Sequence, residues 1–280
     1  MSRAYTRIPR RPFVRVPRVR WREVFNKGLR SSTGYQIVKA RPTAAPAKPP
    51  AKPKRDPFRR YHDEEARAVM TAVKPWTMTS YDRLFALVVA VRYMVASDIP
   101  GDVVECGVWR GGSMQAVART LIEMDAAGRE LHLFDTFEGM PPPGEEDRRL
   151  KGRPAGELLQ SGPRPDLVRA VADLDDVRAG MEQTGYPAER IHYHPGRVEQ
   201  TIPAQAPERI ALLRLDTDWY ESTKHELEHL YERVTPGGVV IIDDYDYWEG
   251  ARKAVDEFIA NTGARLLLVP IDTGRIAVKQ

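Results

Sequence analysis

From residue 61 onward the apolar positions fall into short runs of two kinds, separated by polar and turn-forming residues. In YDRLFALVVAVRYMVAS, residues 81–97, apolar side chains recur at helical spacing, and Ser80 or Asp82 can cap the first turn. IPGDVVECGV follows: a turn, then a β-branched run with the length of a buried strand. The same patterning predicts helices over 113–127, 166–183, 223–233 and 252–261. It predicts strands over 131–134, 190–194 (edge-like), 210–215 and 239–242, with 265–270 and 274–278 closing the chain. Strand and helix alternate through most of this stretch, which predicts an α/β fold: a mostly parallel sheet with helices on both faces. The segment PPPGEEDRRLKGRPAGELLQSGPRP, 141–165, is longer than most connections between elements, so it reads as a functional lid or as disorder.

The residues before 61 differ in kind. RPTAAPAKPPAKPKRDP has no apolar face to bury, and 1–60 reads as a disordered, basic, Arg/Pro-rich extension ahead of one domain, 61–280. Charge divides the same way. Residues 1–60 hold 18 Lys and Arg against Glu23 and Asp56, or +16; the whole chain is +4, so 61–280 carries −12. The Arg-rich run can bind nucleic acid or an acidic membrane surface. The plainer alternative, a solvated tail or a start codon placed too early, is preferred. One cysteine, Cys106, permits no internal disulfide and fits a reducing, cytoplasmic setting. No run of about 18 apolar residues exists to span a membrane, and the N-terminus lacks the apolar core of a secretory signal.

Candidate chemistry begins at DVVECGVWRGGS. A strand runs into a glycine turn and then a helix, whose free N–H groups attract an anionic group. Gly107 lets backbone pass close to a ligand, and Gly111 with Gly112 tightens the turn. Ser113 can cap the helix and donate to a carboxylate; Glu105, at the strand's end, can hold an ammonium. The spacing is G-x-x-x-G-G, not the dinucleotide G-x-G-x-x-G. The second strand ends in Asp135, 23 residues after Gly112, near the offset at which an acid takes ribose hydroxyls. Phe134 and Phe137 flank it; either can cover an adenine face, although Phe134 also reads as plain core. An acid at the first strand's end favours S-adenosylmethionine over NAD, since it draws a methionine ammonium and repels a pyrophosphate. Gly196 can let backbone approach the adenine. Thr79 and Ser80 can cap a helix or contact the cofactor carboxylate.

A second cluster is acidic. Asp216 and Asp218 follow the strand ALLRL, and Asp243 and Asp244 follow VVII. Ligands of open parallel sheets bind at the carboxyl ends of strands, so these acids should meet on the edge that carries Glu105 and Asp135. Converging carboxylates repel and call for a cation, and oxygen-only ligation suits Mg²⁺, Ca²⁺ or Mn²⁺. Such an ion lowers the pKa of an acceptor hydroxyl while a carboxylate takes its proton. Asp216 is the candidate ligand and base, Asp243 and Asp244 the candidate further ligands. Other groups read more plainly: His192 and His194 as a satisfied pair, His225 and His229 as a solvated helix face, Trp219 and Tyr220 as pocket wall or core, Cys106 as inert.

VVECGVWRGGS, LFDTFEGMPPP, LRLDTDWYEST and PGGVVIIDDYDYW, in that order, resemble the macrocin O-methyltransferase (TylF-type) family of sugar methyltransferases. The likeness runs from about Met78 to the C-terminus. It implies a Rossmann-like class I methyltransferase fold with a seven-stranded sheet, S-adenosylmethionine as methyl donor and Mg²⁺ dependence. It implies Asp216, Asp243 and Asp244 as metal ligands, with Asp216 also the base, and places Thr79, Ser80, Glu105, Ser113, Asp135 and Phe137 in the cofactor region. The acceptor implied is a hydroxyl of a glycosylated natural product, in antibiotic (macrolide-type) biosynthesis, and a homo-oligomer is expected. The more distant catechol O-methyltransferases place a lysine three residues after the first metal aspartate; here that residue is Trp219, so a lysine base is not supported. Two rival functions remain: a Rossmann-type nucleotide-sugar or NAD enzyme, and a non-catalytic binding protein tethered by its basic tail.

Overall fold

The computed structural model describes residues 58, 60–161 and 171–280, together with 27, 30 and 31. Most of the expected disordered extension lies outside these residues, as do 162–170, where the predicted insert ends and the 166–183 helix begins. Chain contacts divide the molecule into Met1–Lys54 and Arg55–Gln280; the second unit is described below.

Seven strands form one sheet: β1 (Asp102–Cys106), β2 (Leu131–Asp135), β3 (Ile191–Pro195), β4 (Ile210–Leu215), β5 (Val234–Ile242), β6 (Val269–Ile271) and β7 (Gly274–Val278). Their order is β3-β2-β1-β4-β5-β7-β6. β1 to β5 pair in parallel, and β7 runs antiparallel to β5 and β6. The helices are α1 (Glu64–Val73), α2 (Tyr81–Ala96), α3 (Gly112–Glu123), α4 (Ala155–Ser161), α5 (Leu174–Glu182), α6 (Val198–Thr201), α7 (Tyr220–Leu230) and α8 (Glu249–Thr262). Leu84, Leu87 and Met94 of α2 and Leu121 of α3 pack on one face, against Val103, Leu212 and Ile241. Leu227 and Leu230 of α7 and Val255 and Phe258 of α8 pack on the other, against Val104, Leu213 and Val240. Both faces being covered explains why IALLRL is buried at every position, arginine included.

Register carries this pattern to the site. Glu105 lies opposite Arg214, which lies opposite Ile241. Side chains alternate across a strand, so Glu105 and Arg214 share the α2 face, and Gly107, Asp216 and Asp243 are the next same-face positions beyond the strand ends.

The differences from the predicted elements have local causes. α1 was not predicted; Asp63 caps it, accepting from Ala66 N at 2.8 Å, with Glu64 and Glu65 in the first turn. β5 begins at Val234, not 239: TPGG reads as a turn, yet the strand runs through it with Gly237 at φ +85°. The predicted 265–270 strand shortens to Val269–Ile271, and Leu267 stays exposed. Over 141–161 the insert carries defined structure, against the expectation of disorder. Bridges join Arg148 to Pro154 and Arg149 to Trp248, and α4 follows. Asp147 is buried beneath it, accepting from Tyr220 N at 2.8 Å and Gly144 N at 2.7 Å.

Candidate active site

The parallel strands end side by side. Gly107 N donates to Phe134 O at 2.9 Å, Asp216 N to Cys106 O at 2.8 Å and Asp243 N to Leu215 O at 2.9 Å. This stitching forces a glycine at 107: φ is +83°, and a Cβ there would lie 2.1 Å from the Asp216 carbonyl oxygen. The turn then enters α3 with Gly111 as its N-cap, in the left-handed region. Asp135 holds the turn from β2. Its Oδ2 accepts from Val108 N at 2.6 Å and Trp109 N at 2.9 Å, and its Oδ1 from Phe137 N at 2.8 Å.

A cleft of about 400 Å³ opens along this edge, the size of a small-molecule site. Of the residues selected from sequence, Thr79, Gly107, Ser113, Asp135, Gly196, Asp216, Asp243 and Asp244 line it. Four others stand behind it. Ser80 caps α2 by accepting from Arg83 N at 3.4 Å, and Phe137 packs in the core. Gly111 forms the turn. Glu105 is fully buried; burial pushes its pKa up to about 7 against the pull of Arg214, which bonds its Oε1. Phe134 lines the cleft and stacks on His194 with ring centres 4.1 Å apart.

Asp216, Asp243 and Asp244 offer carboxylate oxygens that lie within 4.8 Å of one another. Burial is the main force that lifts Asp216 and Asp244 well above the usual carboxylate range; the charges of Asp218 and Asp243 add to it at Asp244. Asp218, held by the Trp248 indole N–H at 2.6 Å, is pushed up to about 7 by burial and then by Asp216.

Two arginines that sequence reasoning missed stand among these acids. Arg214 Nη1 donates to Glu105 Oε1 at 2.5 Å and Asp216 Oδ2 at 2.7 Å; Nη2 donates to Asp243 Oδ1 at 2.7 Å and Thr79 Oγ1 at 3.2 Å. Arg83, on α2, pairs with Asp243 Oδ2. The signal for Arg214 was a lone cation inside the apolar strand ALLRL. Arg83 carried no such mark.

The donor set fits a divalent cation. The carboxylates of Asp216, Asp243 and Asp244 offer oxygen ligands only, the set that such a cation takes. Asp244 Oδ2 is buried with no partner, and a buried acceptor left so is costly unless something meets it.

The remaining candidates resolve plainly. His194 bonds His132 at 3.1 Å and Gln205 at 3.0 Å, and His192 bonds Glu130 at 2.8 Å. His225 bonds Ile202 O at 3.0 Å. Trp219 is core, its indole N–H donating to Pro141 O at 2.9 Å. Cys106 is buried, which pushes its thiol pKa well up and keeps it protonated.

A parallel sheet whose first strand runs through a glycine turn into a helix, with an acid ending the second strand and aspartates ending the fourth and fifth, defines a class I methyltransferase. Residues 38–279 match the macrocin-O-methyltransferase (TylF) family, and the chain belongs to it. It is an S-adenosylmethionine-dependent O-methyltransferase, which sets aside the NAD-enzyme and binding-protein alternatives. It is 36% identical over 191 residues to 8-demethyl-8-(2,3-dimethoxy-alpha-L-rhamnosyl)-tetracenomycin-C 4'-O-methyltransferase of Streptomyces olivaceus, covering 67% of this chain and 69% of that one. It is 34% identical over 196 residues to demethyldecarbamoylnovobiocin O-methyltransferase of Streptomyces niveus, covering 70% and 72%. Among solved structures, the O-methyltransferase NovP superposes with a TM-score of 0.65 at 32% identity, over 73% of this chain and 82% of that one.

Proposed function

We propose that this enzyme transfers the methyl group of S-adenosylmethionine to a sugar hydroxyl of a glycosylated natural product, with a divalent cation, Mg²⁺ by preference, held by Asp216, Asp243 and Asp244. The observation that carries this is the meeting of three aspartates from two strand ends beside the glycine turn. The names of the two relatives above, one for a rhamnosyl tetracenomycin and one for demethyldecarbamoylnovobiocin, support the acceptor class. The catalytic domain is proposed as 61–280, with the site in the cytoplasm and no nucleic acid required.

The roles follow from position. The α3 N-terminus and Ser113 receive the cofactor's carboxylate, and Thr79 closes that end. Asp135 holds the turn through three backbone N–H groups and has one acceptor site, on Oδ1, left to offer a ribose hydroxyl. Gly196 leaves room at the adenine end. A bound divalent ion supplies a lowered pKa and a fixed orientation for the acceptor hydroxyl. Asp216, 26% exposed toward the cleft, takes the hydroxyl proton as the oxygen attacks the sulfonium methyl in line. Tyr247 and Trp248 line the acceptor side and limit water access. The test is S-adenosylhomocysteine release with a panel of hydroxylated glycosides and Mg²⁺. Turnover that stops with EDTA and returns with added Mg²⁺ is expected; turnover indifferent to EDTA would remove the metal from the mechanism.

A further inference from the structure

The methyl transfer described above gives Arg214 no part, yet a cation that is 3% exposed inside a strand covered on both faces must be held for a reason. Its four partners come from four places: Glu105 on β1, Thr79 ahead of α2, Asp216 after β4 and Asp243 after β5. A guanidinium is a rigid plane whose donors point in fixed directions, so bonding two carboxylates at once fixes their separation and their rotation. Arg214 takes Asp216 Oδ2 and Asp243 Oδ1 and leaves Asp216 Oδ1 unbonded to it, while Arg83 pairs with Asp243 Oδ2.

We propose that Arg214 is a positioning residue of the cation site, fixing how the Asp216 and Asp243 carboxylates stand beside Asp244 so that the three can hold one dication. This rests on the divalent-cation reading above. A bland role is available, in which Arg214 only neutralises charge, and the two roles separate by sign. As a mere neutraliser, its loss makes the acid cluster more negative and binds a dication more tightly. As a positioner, its loss frees Asp216 to turn independently of Asp243, which Arg83 still holds, and binds the dication more weakly. Lysine keeps the charge but offers a point donor on a flexible stem, so it cannot bridge both aspartates in a fixed geometry.

The experiment titrates the full chain with Mn²⁺ alone, by calorimetry or electron paramagnetic resonance, and records each variant's melting transition. The variants are Arg214→Lys, Arg214→Met and the double variant Arg214→Met with Glu105→Gln. The double variant leaves the cluster's net charge unchanged and strands no unpaired Glu105. Every folded variant is expected to bind Mn²⁺ at least about tenfold more weakly than wild type, equivalent to about 1.4 kcal/mol. Wild-type affinity in Arg214→Lys or the double variant, or tighter binding in Arg214→Met, overturns the inference. Should Arg214→Met not fold, the charge-conserving pair decides. A wild-type chain that binds no Mn²⁺ overturns the cation reading and this inference together, whereas wild-type binding that the variants leave unmoved overturns the inference alone.

Discussion

Glu226 offers the sharpest test of how the fold treats its acids. It lies on α7 with its side chain sealed from solvent; Oε2 accepts from the Thr217 hydroxyl at 3.2 Å and Oε1 has no partner. Burial lifts its pKa well above the usual carboxylate range, the charges of Glu199 and Asp216 add to this, and the Thr217 bond opposes it. Burial therefore favours the neutral acid in the fold over the ion that the unfolded chain carries at neutral pH, so folding is coupled to proton uptake. Its contribution to stability is complete below the unfolded pKa near ~4.3 and is lost as pH rises through the raised folded value. Keeping that proton at pH 7 costs at most about 3.7 kcal/mol, at about 1.36 kcal/mol per pH unit above ~4.3. Glu226→Gln keeps the shape and removes the titration, but its amide brings donors whose desolvation costs about 1–3 kcal/mol. The net gain expected at pH 7 is therefore positive and at most about 2.7 kcal/mol, or up to roughly 5–11 °C in Tm for a domain of this size. At pH 4.5 the gain vanishes and the amide cost leaves the variant slightly less stable. Calorimetric melts of both proteins at pH 4.5, 6, 7 and 8 make the comparison. A Tm difference that stays constant across this range would refute the assignment of a neutral, buried Glu226.

Two further substitutions probe the scaffold of the site. Gly107→Ala places a Cβ against the Asp216 carbonyl in left-handed backbone; the conformation alone costs about 1–2 kcal/mol and the contact forces β1 and β4 apart, so Tm should fall by at least about 4 °C and turnover should fall more steeply than stability. Asp147→Ala leaves the Tyr220 and Gly144 N–H groups without their acceptor, a loss of about 0.5–2 kcal/mol, and limited proteolysis should then cut within 141–161 faster than in wild type.

The alternation of the β1 to β4 region was legible because β1, β2 and β4 are largely buried and read as compact apolar runs, while β3, at the sheet edge and half-buried, keeps the polar IHYHP pattern. Where an element depends on tertiary support the pattern failed. β5 passes through TPGG because its start pairs with β4 at Ile210, across a register shift that no local propensity encodes. The insert carries the composition of a mobile loop, but one buried aspartate, Asp147, ties it to the first residue of α7. Composition reports the average of such a segment, while a single internal hydrogen-bond acceptor decides whether it is held.

The site divides along the same line. Strand-end acids were visible because a parallel sheet delivers every strand's carboxyl end to one edge, so Asp135, Asp216, Asp243 and Asp244 needed only the strand assignments to be brought together. Their compensation was not visible from counting acids alone: converging carboxylates demand positive charge, but a dication and an internal arginine answer that demand equally well. Here the structure holds two guanidinium groups, and Asp244 Oδ2 is still unpartnered. A distinguishing mark did exist in the sequence. In ALLRL an arginine occupies a strand flanked by others that end in acids, and a cation buried on both faces is tolerable only with partners on neighbouring strands. Glu105, one strand away on the same face, is the partner that register requires, which is why it stands behind the cleft and not in it.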